Sequence, residues 1–377
     1  MAVVTIATPG RAVNTLGSAG LQDLEDLLAE LETAADLRGL VLASSLPGTF
    51  LVGVDLDELE RLEEPGPARE WVQRGQQLVE RWRRLPYPTV AAIRGAALGG
   101  GLEIALACTF RVASDEPATV LGLPEVELGL LPALGGTWAL PRQVGLRRGL
   151  EMLLTGQRLD ARAALACGLI DERVPAAILD RAARAWLARG PRAASRRARA
   201  VLLAADPVSR RLFLAAARRR VRRKTGGHYP APHAILDAVA AGYARGRRGA
   251  LRVEAERFGE LAVSPVSRNL IWLFRSGRPE GERPAAGGVV GVVGAGFMGA
   301  GIAALAARHG YRVRLQDSRA EALGPALRAA RGRGLLAPTT RLTGLARAEL
   351  VIEAVTEDLE VKRAVLAAVE SQVSESA

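Results

Sequence analysis

Residues Val289 to Val293 form an apolar run that leads into Gly294-Ala295-Gly296-Phe297-Met298-Gly299, and a second alternating run, Tyr311 to Gln316, ends on Asp317. Glycines at the first, third and sixth positions of a turn let the chain reverse tightly, approach a pyrophosphate and pack a helix closely on a sheet. The spacing predicts a strand, the turn, a helix over Ala300 to His309 closed by Gly310, and a parallel strand ending on the acid. That arrangement is a dinucleotide fold. Gly294, Gly296 and Gly299 fall at the phosphates, and Asp317 falls on the adenosine ribose hydroxyls, which favours NAD over NADP. Arg319 nearby softens that preference, and the same glycines would also serve a strand-to-helix turn that holds no ligand.

Ala285 to Ala307 contains no charged residue and is long enough to cross a hydrocarbon core of about 30 Å. The seven glycines between Gly287 and Gly301 fit the turn and oppose a membrane helix, so no integral membrane span is expected.

A chain of 377 residues exceeds the roughly 100 to 200 residues of one domain. Its first part alternates strand and helix signals: strand Val3 to Ile6, helix Leu21 to Ala35, strand Leu40 to Ala43, helix Glu70 to Leu85, strand Thr89 to Ile93, helix Leu102 to Ala107 and strand Phe110 to Ala113. That order predicts an α/β domain with mostly parallel pairing. From about Pro191 to Arg275 the pattern is helical, broken by Gly226 to Pro232. Ser276 to Gly288 has the Gly, Pro and charge content of an exposed boundary. The expected domains are therefore 1–190, a helical linker 191–283, and a partial Rossmann domain 286–377.

The two cysteines, Cys108 and Cys167, lie in no metal-ligand or redox spacing and read as small buried residues. No metal site is expected. The amino terminus lacks a secretion pattern, and a cytoplasmic location is expected. The net charge is +11, yet only Lys224 and Lys362 among the 51 basic residues are lysines, an arginine bias of composition. The densest basic run, Arg218 to Lys224, has no aromatic side chains on which bases would stack, so no nucleic-acid partner is expected. A small phosphate-bearing ligand suits the charge better.

A second glycine turn, Arg94-Gly95-Ala96-Ala97-Leu98-Gly99-Gly100-Gly101, joins the strand Thr89 to Ile93 to the helix beginning at Leu102. Unpaired N–H groups at a helix start stabilise an anion or a developing oxyanion. Phe50-Leu51-Val52-Gly53-Val54-Asp55-Leu56 lies upstream, and Gly122-Leu123-Pro124-Glu125-Val126-Glu127-Leu128-Gly129 lies downstream. Together these blocks resemble the crotonase, or enoyl-CoA hydratase/isomerase, superfamily over about residues 1 to 190.

The resemblance implies an oxyanion hole from the backbone N–H groups of Val52 and Gly100, and two catalytic glutamates, Glu103 and Glu125. It also implies a coenzyme A thioester as substrate. Two glutamates favour hydration of a 2-enoyl-CoA to a 3-hydroxyacyl-CoA; an enoyl-CoA isomerase, or a non-catalytic acyl-CoA or NAD-binding subunit, are the alternatives. Without the resemblance, Glu103 reads as a favourable acid in a first helical turn and Glu125 as a surface charge, like Glu127. Asp55 reads as a helix cap. Val52 and Val54 stand where the superfamily usually has alanine, and the surplus between Glu103 and Glu125 falls in Asp115 to Val120, expected as a surface loop.

The carboxyl-terminal part resembles the NAD-binding part of 3-hydroxyacyl-CoA dehydrogenase, as found in the multifunctional alpha subunit of the fatty acid oxidation complex. Lys224 to Pro232 and Val351 to Lys362 carry that likeness. It implies NAD contacts at Met298, Asp317, Val355, Thr356, Glu357 and Lys362, a thiolase partner and a possible homo-oligomer. The stretch between Asp317 and Leu350 is short for that family. The family's catalytic histidine falls beyond Ala377, and His228, His233 and His309 match none of its positions. A vestigial or incomplete dehydrogenase module is therefore expected.

Overall fold

The computed structural model describes residues 1–189, 206–277, 287–329 and 335–373. The chain divides into two compact units, Met1–Arg278 and Pro279–Ala377. The expected helical signal over 191–205, and the expected boundaries near 190, 283 and 286, lie outside the described residues.

In the first unit a five-stranded parallel sheet runs in the order Ala2–Ile6, Leu40–Ser44, Thr89–Ile93, Phe110–Ser114, Glu172–Val174. Its central strands are buried and largely apolar on both faces because both are covered. Val90 and Ala92 pack with Val112 and the helix Leu179–Leu187, while Ala91 and Ile93 point into the larger core. This is the two-residue period of a strand expressed between two helical layers.

A second, smaller sheet is built from Thr49–Leu51, Ala96–Leu98 and Val120–Gly122 in parallel, with Leu159–Asp160 antiparallel at its edge. Each of its first three strands follows a strand of the large sheet within a few residues. The chain therefore steps from one sheet to the other before each return, and the small sheet delivers the glycine turn to the helix Gly100–Ala107. The loop from Asp115 to Val120 is largely at the surface as expected, but Thr119 is buried and bonds to Ser114 and to the Gly95 N–H.

The helical region comprises Pro207–Thr225, Ala231–Ala262 and Pro265–Ser276. Asp206 and Ser264 cap two of these helices, and Gly226 ends the first in a left-handed conformation. Ala231–Ala262 breaks at Gly246. It packs on the helices Pro65–Arg83 and Gly136–Val144, burying Ile235, Leu236, Val239, Ala255 and Phe258 in the main core. This helix is part of the first unit's interior.

In the second unit four parallel strands run in the order Leu336–Thr339, Arg312–Gln316, Val289–Val293, Leu350–Glu353. The helices are Phe297–Arg308, Ala320–Ala329 and Leu359–Glu370. Val290, Val292, Val313 and Leu315 pack against Ala303 and Ala307. Among the described residues no helix is long and apolar enough to cross a membrane.

Candidate active site

The turn before Gly100–Ala107 is fixed by Gly99 N–H donating to the Gly122 carbonyl at 3.0 Å and by Glu103 N–H donating to the Gly99 carbonyl at 3.1 Å. Gly101 allows the close approach that makes the site: a Cβ there would stand 2.0 Å from the Leu51 carbonyl oxygen. The loop after Thr49–Leu51 is thereby pressed onto the helix start, where the Gly100 N–H stands in the unbonded first turn.

Val52 does not hold the place expected of it. Its N–H donates to the Asn14 carbonyl at 2.9 Å. Leu16 N–H bonds to the Gly53 carbonyl at 2.8 Å and Asp55 N–H to the Leu16 carbonyl at 3.1 Å. The intervening Val54 N–H therefore faces the opposite way, as alternate amides in a bridged strand do, and it has no acceptor among the described residues. A Cβ on Gly53 would lie 3.9 Å from the Gly100 nitrogen, so this loop borders the helix start. The donor pair the geometry offers is Val54 with Gly100. Buried Asn14 anchors the loop, donating to Ser44 Oγ at 2.9 Å and to the Phe50 carbonyl at 3.2 Å while accepting from Thr8 N–H at 2.8 Å. Sequence reasoning missed it. Asp55 caps the helix Leu56–Glu60 by accepting from Asp57 N–H, as expected.

Glu103 is buried, and its Oε1 accepts from Leu134 N–H at 2.7 Å and Gly136 N–H at 2.6 Å. Burial pushes its carboxyl up to about 7, against the pull of those backbone donors. Glu125 opens the 3-10 turn Glu125–Leu128. A Cβ on Gly99 would stand 2.9 Å from its Oε1, which places this carboxyl over the same turn. Its Oε2 is shielded from solvent and has no hydrogen-bond partner among the described residues. Burial first, and the neighbouring Glu103 charge second, hold Glu125 well above the usual carboxylate range. Two carboxyls that resist simultaneous ionisation supply one acid and one base at neutral pH.

A third carboxyl, Glu254, was not foreseen. It is fully buried on Ala231–Ala262, accepts from Thr137 N–H at 3.1 Å and from the Thr137 hydroxyl, and lies 3.4 Å from Gln76 Nε2. The available signal was its place at helical spacing between Ala250 and Phe258, on a stripe that is otherwise apolar. Glu127 pairs with Arg158 at 2.6 Å away from this cluster. Cys108 is buried, and burial raises its thiol to about 11, which keeps it protonated and inert. Cys167, expected as buried, is only partly so, packed against the main core at the end of its helix.

In the second unit the strand order reverses between Val289–Val293 and Leu350–Glu353, the crevice where such sheets bind ligands. Gly294 has φ +100°, and a Cβ there would meet the Ala354 carbonyl oxygen at 2.5 Å. At Gly296 a Cβ would meet nothing within 4 Å, so the turn has open space above it. Met298 and Phe297 are exposed at the helix start. Asp317 Oδ2 accepts from Ala295 N–H at 2.8 Å, tying the acid to the turn. Val355, Thr356 and Glu357 follow the strand Leu350–Glu353, and Lys362 Nζ lies 2.8 Å from Glu353 and 3.5 Å from Glu357. The expected cofactor residues thus gather at the carboxyl ends of adjacent strands, and they fit a dinucleotide. His309 caps the far end of Phe297–Arg308, about 18 Å from the glycine turn by helical rise.

The family profile described as enoyl-CoA hydratase/isomerase matches residues 1–218. The chain belongs to the enoyl-CoA hydratase/isomerase family. A second profile, 3-hydroxyacyl-CoA dehydrogenase, NAD binding domain, matches residues 289–377, so this family member carries an NAD-binding dehydrogenase domain as well. Among solved structures it is similar to an enoyl-CoA hydratase from Bacillus anthracis, at 27% identity over 73% of this chain and 92% of that one, with a TM-score of 0.46. It is similar to DspI of Pseudomonas aeruginosa at 30% identity over 69% of this chain and 90% of that one, with a TM-score of 0.47. It also shares the fold of an enoyl-CoA hydratase/isomerase from Xanthobacter autotrophicus Py2, with a TM-score of 0.52 at 23% identity, over 73% of this chain and 89% of that one.

Proposed function

We propose that the first unit adds water to a 2-enoyl-CoA with Glu103 and Glu125 as its acid–base pair and the N–H groups of Val54 and Gly100 as its oxyanion hole. The carrying observation is the convergence of Glu125 and the helix start bearing Glu103 on Gly99, beside those two N–H groups. Holding the thioester oxygen drains electron density from C3. One carboxylate takes a proton from water as its oxygen bonds to C3, and the other carboxyl delivers a proton to C2, giving the 3-hydroxyacyl-CoA. Each N–H donor of such a hole is worth about a hundredfold or more in turnover. The two converging carboxyls favour hydration over double-bond isomerisation.

The product is the class of substrate a 3-hydroxyacyl-CoA dehydrogenase oxidises. Gly294, Gly296, Met298, Gly299, Asp317, Val355, Thr356, Glu357 and Lys362 would hold NAD, which would supply hydride acceptance. Exposed Trp272 and Leu273 on Pro265–Ser276 support a protein partner, a thiolase subunit or a further copy of the chain. Two free cysteines support a cytoplasmic location.

The test is replacement of each glutamate by glutamine. Glu103→Gln and Glu125→Gln should each lower the kcat for hydration of a short 2-enoyl-CoA by about a hundredfold or more, with unchanged circular dichroism. Undiminished turnover in either would remove that residue from the mechanism.

A further inference from the structure

Hydration uses two carboxyls, and the structure brings three together. Glu254 comes from Ala231–Ala262, more than a hundred residues from the motifs that mark the site. It accepts from Thr137, in the segment that holds Glu103, and Gln76 Nε2 stands 3.4 Å from its other oxygen. Gln76 Nε2 bonds to the carbonyls of Ala133 at 2.8 Å and Leu251 at 2.9 Å, fixing one end of that segment to the helix bearing Glu254. Glu254 fixes the other end through the N–H and hydroxyl of Thr137. Between these anchors the N–H groups of Leu134 and Gly136 converge on Glu103 Oε1 at 2.7 Å and 2.6 Å.

Gly136 and Thr137 are the first two residues of the helix Gly136–Val144. Glu103 and Glu254 therefore share the positive end of one helix, each on a different N–H. That end favours one negative charge, and a second buried carboxylate beside it is disfavoured.

We propose that Glu254 is a positioning residue for hydration, which holds the Ala133–Thr137 segment against Glu103 and shares one proton with it, so that the orientation and charge of the Glu103 carboxyl are set from the helical region. The inference rests on Glu103 acting in hydration. Burial first, and the Glu103 charge second, raise Glu254 to about 8, in keeping with a shared proton. The other groups near it are Glu125 on its 3-10 turn and Arg247 on its own helix. Arg247 pairs with Glu80 at 2.8 Å, and Arg83 and Arg84 stand close to Arg247 at the end of Pro65–Arg83.

The experiment is the pH dependence of kcat and KM for hydration of a short 2-enoyl-CoA by the full chain, its Glu254→Gln variant and its Glu103→Gln variant. Glu254→Gln should lower kcat by about tenfold or more, since misplacing a reacting group by about 1 Å costs about a hundredfold. KM should stay near its original value, and the alkaline limb of the kcat profile should move to lower pH because one coupled proton is gone. A merely structural residue would change the amount of folded protein and leave the profile of the remaining activity in place; a superimposable profile overturns the inference. Should Glu254→Gln fail to fold, carboxyl-carbon NMR of the glutamate-labelled protein reads the pair directly. The raised titration of Glu254 should fall in Glu103→Gln, and an unmoved titration overturns the proposal. Full activity in Glu103→Gln would instead defeat the reading of Glu103 itself.

Discussion

Gly101 shows how little latitude single positions have at this site. A methyl group there would collide with the Leu51 carbonyl, so Gly101→Ala is expected to cost at least the 1–3 kcal/mol typical of overpacking, roughly, and to abolish hydration; a denaturant titration beside an activity assay reads both. The raised carboxyls make a separate prediction. The Glu254 carboxyl rises from the ordinary 4.5 to about 8, so the folded form keeps a proton that the unfolded chain has released over that interval. Its contribution to stability is present below about 4.5 and is lost as pH rises through about 8. Thermal melts should show Tm falling across this window, and Glu254→Gln should flatten the fall; an equal slope in both proteins would contradict it. Glu103 and Glu125 were legible because each sits in a block of recognisable neighbours. Val54 was not, since Val52-Gly53-Val54 reads alike in either direction and only the bonds to Asn14 and Leu16 tell which N–H is engaged. Asn14 and Glu254 act through contacts distant in sequence, which no local pattern carries.

At the scale of elements, the helix Gly100–Ala107 is held at its far end by Arg111. That guanidinium is buried, bonding to the carbonyls of Cys108 at 3.0 Å, Ala105 at 3.3 Å and Leu169 at 2.8 Å, with Asp171 at 3.6 Å. It satisfies the last carbonyls of the helix and complements its negative end. Arg111→Met would leave Asp171 buried without its cation, and removing one partner of such a pair costs about 3–5 kcal/mol; urea unfolding should show a loss of that size. Short, continuously apolar runs such as Thr89–Ile93 were legible as buried strands from their composition and flanking turns. The three-residue strands of the small sheet were not, being too short to show a period. Leu336–Thr339 was hidden by Pro338, which is tolerated because the strand lies at the sheet edge. Ala320–Ala329 was hidden likewise by Pro325 within the helix.

At the scale of the whole molecule, each compact unit has its own hydrophobic interior. A Cβ on Gly299 would stand 1.8 Å from the Gly294 carbonyl oxygen, so Gly299→Val is expected to abolish NAD binding in calorimetry. The site of hydration is built from the first unit's own residues, and its kcat should be unaltered by that change. The order of the strands and the two glycine turns made both cores legible in outline. The burial of Ala231–Ala262 in the first core was not, because Arg245, Arg247, Arg248, Arg252 and Arg257 make it resemble a surface spacer until its partners are known.

The most direct test is hydration of a short 2-enoyl-CoA by the purified chain in deuterated water, with the product read by mass and proton spectra. The expected product is a 3-hydroxyacyl-CoA carrying one deuteron at C2 and solvent oxygen at C3. Recovery of unchanged substrate, or a shifted double bond without addition of water, would contradict it.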